Sequence, residues 1–120
     1  MDMQQLRIQR SSDHEIVCTS MECTDEGCFV FDIVGSTGEY LVEIYENVEL
    51  WELCSCSCED NAHRPYLCKH LCFVFRALGA DDAMIETLFR AAPSQELLYV
   101  FLSNASNVVN RSRAVRQRLL

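Results

Sequence analysis

The sequence lacks the features that would direct the chain into or across a membrane. Its first residues, Met-Asp-Met-Gln-Gln, are not a basic segment followed by an apolar stretch, so we expect no secretory signal peptide. No run of apolar residues approaches the roughly 18 residues that a membrane-spanning helix requires. We therefore expect an intracellular protein, cytoplasmic or nuclear, that does not bind a membrane.

Signatures of common catalytic sites are missing as well. The sequence contains no glycine-rich phosphate loop and no nucleophile elbow. A cysteine nucleophile needs an imidazole base within reach. Cys68 and His70 are close in sequence, but a metal ion bound to both would leave neither free for catalysis. We therefore expect a protein that is not an enzyme, with no evident small-molecule substrate.

Basic residues are scarce in the first half of the chain. Residues 1–60 carry 14 acidic side chains against two arginines, a net charge of −12, whereas residues 61–120 have a net charge of +4. An overall acidic chain repels phosphate, so we favour a protein partner over nucleic acid. Nucleic-acid binding stays open as the alternative, because the second half contains Arg64, Lys69, Arg76, Arg111, Arg113, Arg116 and Arg118.

Two alternating runs predict a β-hairpin. Residues 28–34 are rich in strand-forming side chains, residues 39–45 alternate between apolar and polar, and Gly35-Ser36-Thr37-Gly38 between them is typical of a turn. Phe29, Phe31 and Ile33 should share one face of the first strand. We expect a further run, residues 48–53, to extend the sheet toward the cysteines.

Helical patterns follow in the second half. Apolar residues recur at helical spacing from Leu71 to Leu78, and Gly79 is a typical helix end. Asp81 and Ser94 can cap two further helices, the second reaching Leu102, and residues 105–120 can form a fourth. Strands followed by helices predict a single α+β domain over residues 1–120, with a hairpin or three-stranded sheet, then a helix, then a helical tail over residues 80–120.

The eight cysteines suggest a metal site, because no secretion signal points to an oxidising compartment. Cys56 and Cys58 are separated by one residue, and in an extended segment they would point to the same side. Cys68 and His70 would lie at the start of a helix, whose positive end favours negative charge. Three thiolates and one imidazole are suitable ligands for Zn²⁺, and four protein ligands characterise a closed, structural zinc site.

Two other ligand sets are compatible with this spacing. Cys54 has the same parity as Cys56 and Cys58 and could replace Cys56. Cys58, His63 and Cys68 have the spacing of a nucleic-acid zinc knuckle, although that motif also needs a cysteine at position 55, which is serine.

A second metal site is a further possibility. Cys18, Cys23 and Cys28 recur at intervals of five residues, and His14 or Cys54 could provide a fourth ligand. The simpler interpretation is that these three cysteines are free thiols in strands and turns.

The order Cys-x-Cys, loop, Cys-x-His resembles the SWIM zinc finger. The hairpin around Gly-Ser-Thr-Gly and the segment Cys-Lys-His-Leu-Cys-Phe-Val entering a helix are similar to the family, over residues 28–78. Glu59 stands where the family usually has proline. The resemblance implies one structural zinc ion bound by Cys56, Cys58, Cys68 and His70.

The chain is most similar to SWIM fingers that precede RING domains in ubiquitin-ligase-like proteins, because its helical tail resembles theirs. No series of RING ligands is present. The resemblance therefore implies an accessory part in such a system, acting through protein interaction.

Overall fold

The computed structural model describes residues 2–12, 15–63, 67–91 and 93–110, without the side chains at positions 53, 62 and 63. Four antiparallel strands form one sheet in the order β1-β2-β3-β4. The strands are β1 (Val17–Cys23), β2 (Cys28–Gly35), β3 (Gly38–Tyr45) and β4 (Ser55–Cys56). The helices are α1 (Met3–Arg10), α2 (Glu59–His63), α3 (Lys69–Ala77), α4 (Asp82–Arg90) and α5 (Gln95–Leu102).

The predicted hairpin is the pair β2–β3. Its strands are in register from Cys28 opposite Tyr45 to Gly35 opposite Gly38. The alternation of residue types explains the burial, because every second side chain of a strand points to the same face. The inner face of the hairpin carries Phe31, Ile33, Val42 and Ile44, each exposed by 1% or less.

Helix α3 supplies the other half of the core. The apolar residues predicted at helical spacing are buried here: Leu71, Val74, Phe75 and Leu78. They belong to the same hydrophobic cluster as the inner face of the hairpin. The helix ends shortly before Gly79, whose φ of 107° is a conformation that glycine adopts without strain.

The helical tail also follows the predicted caps. The Asp81 side chain accepts a hydrogen bond from the Met84 N–H at 2.9 Å, and Ser94 accepts one from Leu97 at 3.2 Å. Residues 106–110 are helical, and residues 111–120 of the predicted fourth helix lie outside the described part of the chain. The predicted α+β fold class is confirmed by a four-stranded antiparallel sheet and helices, although one helix, α1, precedes the sheet.

The prediction of a strand over residues 48–53 is wrong. Val48–Leu53 forms a 3₁₀ helix, because the Asn47 side chain accepts a hydrogen bond from the Glu49 N–H at 3.0 Å and starts a turn. The turn places the Trp51 ring 5.6 Å from the ring of Phe75. Strand pairing resumes only at β4.

The sequence patterns predicted neither α1 nor α2, nor the full strand β1. None of the helices in the described ranges is long and apolar enough to cross a bilayer.

Candidate metal centre

Four residues from three neighbouring segments meet at one point between the sheet and α3. Cys56 ends β4, Cys58 precedes α2, Cys68 is the residue before α3, and His70 lies in the first turn of α3. One possible ligand atom from each lies within 4.8 Å of the others, and all four residues are buried. The residues predicted as zinc ligands therefore lie together.

Ser57 explains how the two cysteines of the Cys-x-Cys pair face the same point. Its N–H donates to the Leu41 carbonyl at 3.0 Å, and its hydroxyl accepts from the Leu41 N–H at 2.9 Å. Ser57 is thus fixed to the edge of β3 that β4 pairs with. Its neighbours Cys56 and Cys58 are buried while Ser57 itself is exposed.

The His70 ring is held between the hairpin turn and the thiols. Its Nδ1 lies 3.7 Å from the Cys56 sulfur. Its centroid lies 4.4 Å from that of Tyr40, with 30° between the ring planes. Its Nε2 faces Gly35 and is the one buried side-chain nitrogen or oxygen in the described residues without a hydrogen-bond partner. Nδ1 is therefore the nitrogen that faces the cysteines.

The three sulfurs cannot easily hold three negative charges by themselves. Hydrogen bonds from Cys56 and then Cys68 lower the pKa of Cys58, although burial opposes this. The hydrogen bond between Cys56 and Cys58 is also the main cause that raises the pKa of Cys56 to about 12. Hydrogen bonds with Cys56 and Cys58, followed by burial, raise the pKa of Cys68. A divalent cation would compensate the charge of all three thiolates.

The donor set fits zinc, and one distance in the cluster agrees with tetrahedral coordination. Tetrahedral Zn²⁺, with bonds of about 2.3 Å to sulfur and about 2.0–2.1 Å to nitrogen, separates neighbouring ligand atoms by about 3.5–3.8 Å. The distance of 3.7 Å between the Cys56 sulfur and His70 Nδ1 lies in this range. A ring that binds through Nδ1 carries its proton on Nε2, the nitrogen that faces Gly35.

The alternative ligand sets fare differently. Cys54 is not a member of the group, and burial raises its pKa. The zinc knuckle would combine Cys58 and Cys68 with His63, but the structure groups them with Cys56 and His70. The side chain of His63 lies outside the described part of the structure.

No second metal cluster is found among the described residues. Cys18, Cys23 and Cys28 do not form a metal-binding group there, and His14 lies outside the described residues. None of the eight cysteines forms a disulfide.

Two residues next to the site were not predicted from the sequence. Gln4 and Arg7 of α1 contact the segments next to Cys68 and Cys58, through Leu67 and Asp60. A signal for α1 was present, because Asp2 and Gln5 have the spacing of a capping box, and their side chains form it.

Comparison with known proteins agrees with this geometry. Residues 40–79 match the family model of the SWIM zinc finger. No curated protein and no solved structure matches the chain. The matched segment contains all four clustered residues, from β3 to the end of α3. The match over residues 40–79 and the geometry of the four side chains together support a structural zinc-binding module in this part of the chain.

Proposed function

We propose that the chain is a non-catalytic module in which a zinc ion bound by Cys56, Cys58, Cys68 and His70 fixes the sheet to α3. The outer face of the sheet then binds a basic partner protein. The observation that carries this proposal is the composition of that face. We call it the acidic face, and it consists of Glu22, Val30, Asp32, Val34, Glu39, Leu41 and Glu43.

The strand register brings these residues together. Glu22 lies opposite Val30, which lies opposite Glu43 on the next strand. Asp32 lies opposite Leu41, and Val34 lies opposite Glu39. Residues directly opposite each other in antiparallel strands point to the same face. On this face four carboxylates therefore alternate with three apolar side chains.

No basic residue offsets this charge within the sheet. The four strands contain no lysine or arginine, and none of the ion pairs between described residues involves the acidic face. Asp32 accepts a hydrogen bond from the Ser20 hydroxyl. The acidic face thus offers its negative charge to a partner, which supports a basic one.

A shallow depression lies in the acidic face. It has a volume of about 600 Å³, and Asp32, Val34, Glu39 and Leu41 contribute to its lining. Leu41 is 45% exposed although it is a large apolar residue. Exposed apolar side chains beside polar ones are typical of protein interfaces.

A non-catalytic role is supported by the four protein ligands, which would fill a tetrahedral coordination sphere and leave no position for substrate or water. The free thiols support a reducing, intracellular compartment, since oxidising compartments favour disulfides.

Nucleic-acid binding has less support among the described residues. The Arg76 guanidinium donates to the Ile8 carbonyl at 3.0 Å and pairs with Asp82 at 2.7 Å, so it is engaged within the protein. Arg64 and the arginines at 111, 113, 116 and 118 lie outside the described residues.

A finer proposal is that the partner belongs to a ubiquitin-ligase-like system. Its support is the resemblance of the helical tail to those that follow SWIM fingers beside RING domains. Titration of labelled, zinc-loaded protein with purified RING domains and ubiquitin-conjugating enzymes tests it. Saturable shifts with one member would support it, and no shift with any member would contradict it.

The principal test maps binding of a defined basic probe. Peptides containing lysine, arginine and leucine are titrated into the isotope-labelled, zinc-loaded chain, and amide shifts are followed. We expect shifts on the acidic face, which weaken when Asp32→Asn, Glu39→Gln and Glu43→Gln are combined.

The matched control combines Asp25→Asn, Glu26→Gln and Glu49→Gln, three exposed acids outside the acidic face, and should keep the affinity. An equal loss of peptide affinity in both sets of variants would contradict specific binding at the acidic face. Salt-sensitive binding of duplex DNA with no response to the peptides would favour the nucleic-acid alternative.

A further inference from the structure

Helix α1 lies outside the segment that matches the SWIM zinc finger, yet it contacts both loops that carry the clustered cysteines. The matched segment begins at residue 40, whereas α1 spans Met3–Arg10. Its side chains Gln4 and Arg7 are only 4% and 5% exposed, which is unusual burial for these residue types. Their hydrogen bonds account for that burial.

Gln4 holds the backbone immediately before Cys68. Its side-chain Nε2 donates to the Leu67 carbonyl at 3.2 Å, and its Oε1 accepts from the Leu67 N–H at 3.1 Å. The amide side chain thus pairs with both backbone groups of one residue, as a neighbouring strand would. Because Leu67 precedes Cys68 directly, this pairing restricts where the Cys68 sulfur can lie.

Arg7 holds the segment that follows Cys58. Its Nε and Nη2 donate to the two carboxylate oxygens of Asp60, each at 2.5 Å. Such two-point contacts fix orientation as well as distance. The neighbouring Asn61 accepts a hydrogen bond from the Cys56 N–H at 3.1 Å, so α2 is joined to both cysteines of the Cys-x-Cys pair.

The far end of α1 is attached to the helical part of the molecule. The Arg76 side chain of α3 donates to the Ile8 carbonyl at 3.0 Å and to the Ser11 hydroxyl at 3.2 Å. The same guanidinium pairs with Asp82 at the start of α4. Helix α1 is therefore held between the zinc loops and the helices α3 and α4.

We propose that α1 positions the metal ligands, with Gln4 and Arg7 as positioning residues that set the affinity and geometry of the zinc site. This inference rests on the zinc centre but not on the identity of the partner protein. Residues that orient metal ligands typically change metal affinity by roughly 10–100-fold when they are replaced.

The test uses the full chain and two readouts. Zinc affinity is measured by competition with a chromophoric chelator, and coordination geometry by the visible absorption bands of the Co²⁺-substituted protein. We expect Gln4→Met and Arg7→Met each to weaken zinc binding by about tenfold or more and to shift or broaden the Co²⁺ bands. Arg7→Lys, which keeps the charge without the two-point contact, should give a smaller change of the same kind.

Two controls separate positioning from general stability. Arg10→Met removes an exposed arginine from the same helix and should change neither readout. Ile8→Val trims the buried core contact of α1 and should lower the melting temperature while the Co²⁺ bands stay unchanged.

The proposal is overturned if Gln4→Met and Arg7→Met have the same Co²⁺ bands and the same zinc affinity as an Ile8→Val variant of equal stability. If the wild-type protein bound neither Zn²⁺ nor Co²⁺, the zinc centre itself would be overturned. The peptide titration tests the acidic face separately, so the two failures can be told apart.

Discussion

Gly35 lies directly against the imidazole of His70. A Cβ atom at position 35 would lie 3.0 Å from His70 Nε2 and 3.6 Å from the Tyr40 ring. Gly35 does not have a positive φ, so its backbone conformation is open to other residues. The requirement for glycine here is therefore steric, and it comes from the ring that faces the cysteines.

This contact makes Gly35→Ala a sensitive probe of the zinc site. We expect the new methyl group to displace the His70 ring, to shift the Co²⁺ bands and to lower the free energy of unfolding by roughly 1–3 kcal/mol, as overpacking commonly does. Urea denaturation and Co²⁺ absorption measure the two effects. Ser36→Ala, at the exposed neighbouring position, is the control, and equal behaviour of the two variants would contradict the steric argument.

Gly79→Ala should lower stability without affecting the metal site. A Cβ at this position meets no atom within 4 Å, but the φ of 107° is strained for any side chain. We expect a loss of stability of about 1 kcal/mol or more from the backbone alone, with unchanged Co²⁺ bands. Altered bands would show that the end of α3 is coupled to the metal site.

Zinc stoichiometry should depend on the clustered residues alone. We expect one zinc ion per chain by elemental analysis of the reduced protein, lost in Cys56→Ser and His70→Ala and retained in Cys54→Ser and His63→Ala. Chelation should remove the cooperative unfolding transition, because binding energy at a structural site is folding energy. Dependence on His63 with tolerance of His70→Ala would instead support the zinc-knuckle interpretation.

Thiol alkylation should distinguish the cysteines by exposure and pKa. Cys23 is exposed, whereas Cys18 is buried, and burial raises its pKa to about 11. The thiolate is the reactive form, so less of Cys18 reacts at any pH below that value, and its rate should rise as the pH approaches it. Iodoacetamide with mass spectrometry should therefore modify Cys23 first in the zinc-loaded protein. Prior modification of Cys18 at neutral pH would contradict this order.

The parts of the fold that depend on local pattern could be predicted from the sequence. The hairpin β2–β3 and the helix α3 have regular apolar spacing, and the caps at Asp81 and Ser94 use side chains that satisfy free backbone groups nearby. The grouping of the four candidate ligands depended on a sequence motif as well as on spacing. Spacing alone left Cys54 and His63 as alternatives.

Helix α1 could not be predicted in the same way. It is short and polar, and an isolated helix of this length is not stable in water. Its stability comes from partners far along the chain, since Arg7 and Asp60 are 53 positions apart and Gln4 and Leu67 are 63 apart. The run over residues 48–53 was expected to extend the sheet, but the cap at Asn47 determined the local structure.

Strand β4 has a consequence for the behaviour of the protein in bulk. It pairs Cys56 with Val42 and Ser55 with Glu43, and together with Ser57 it covers part of the outer edge of β3. An uncovered strand edge is a template for pairing with another chain. Since this two-residue strand ends at a zinc ligand, metal depletion should release it and make the protein prone to self-association through β3.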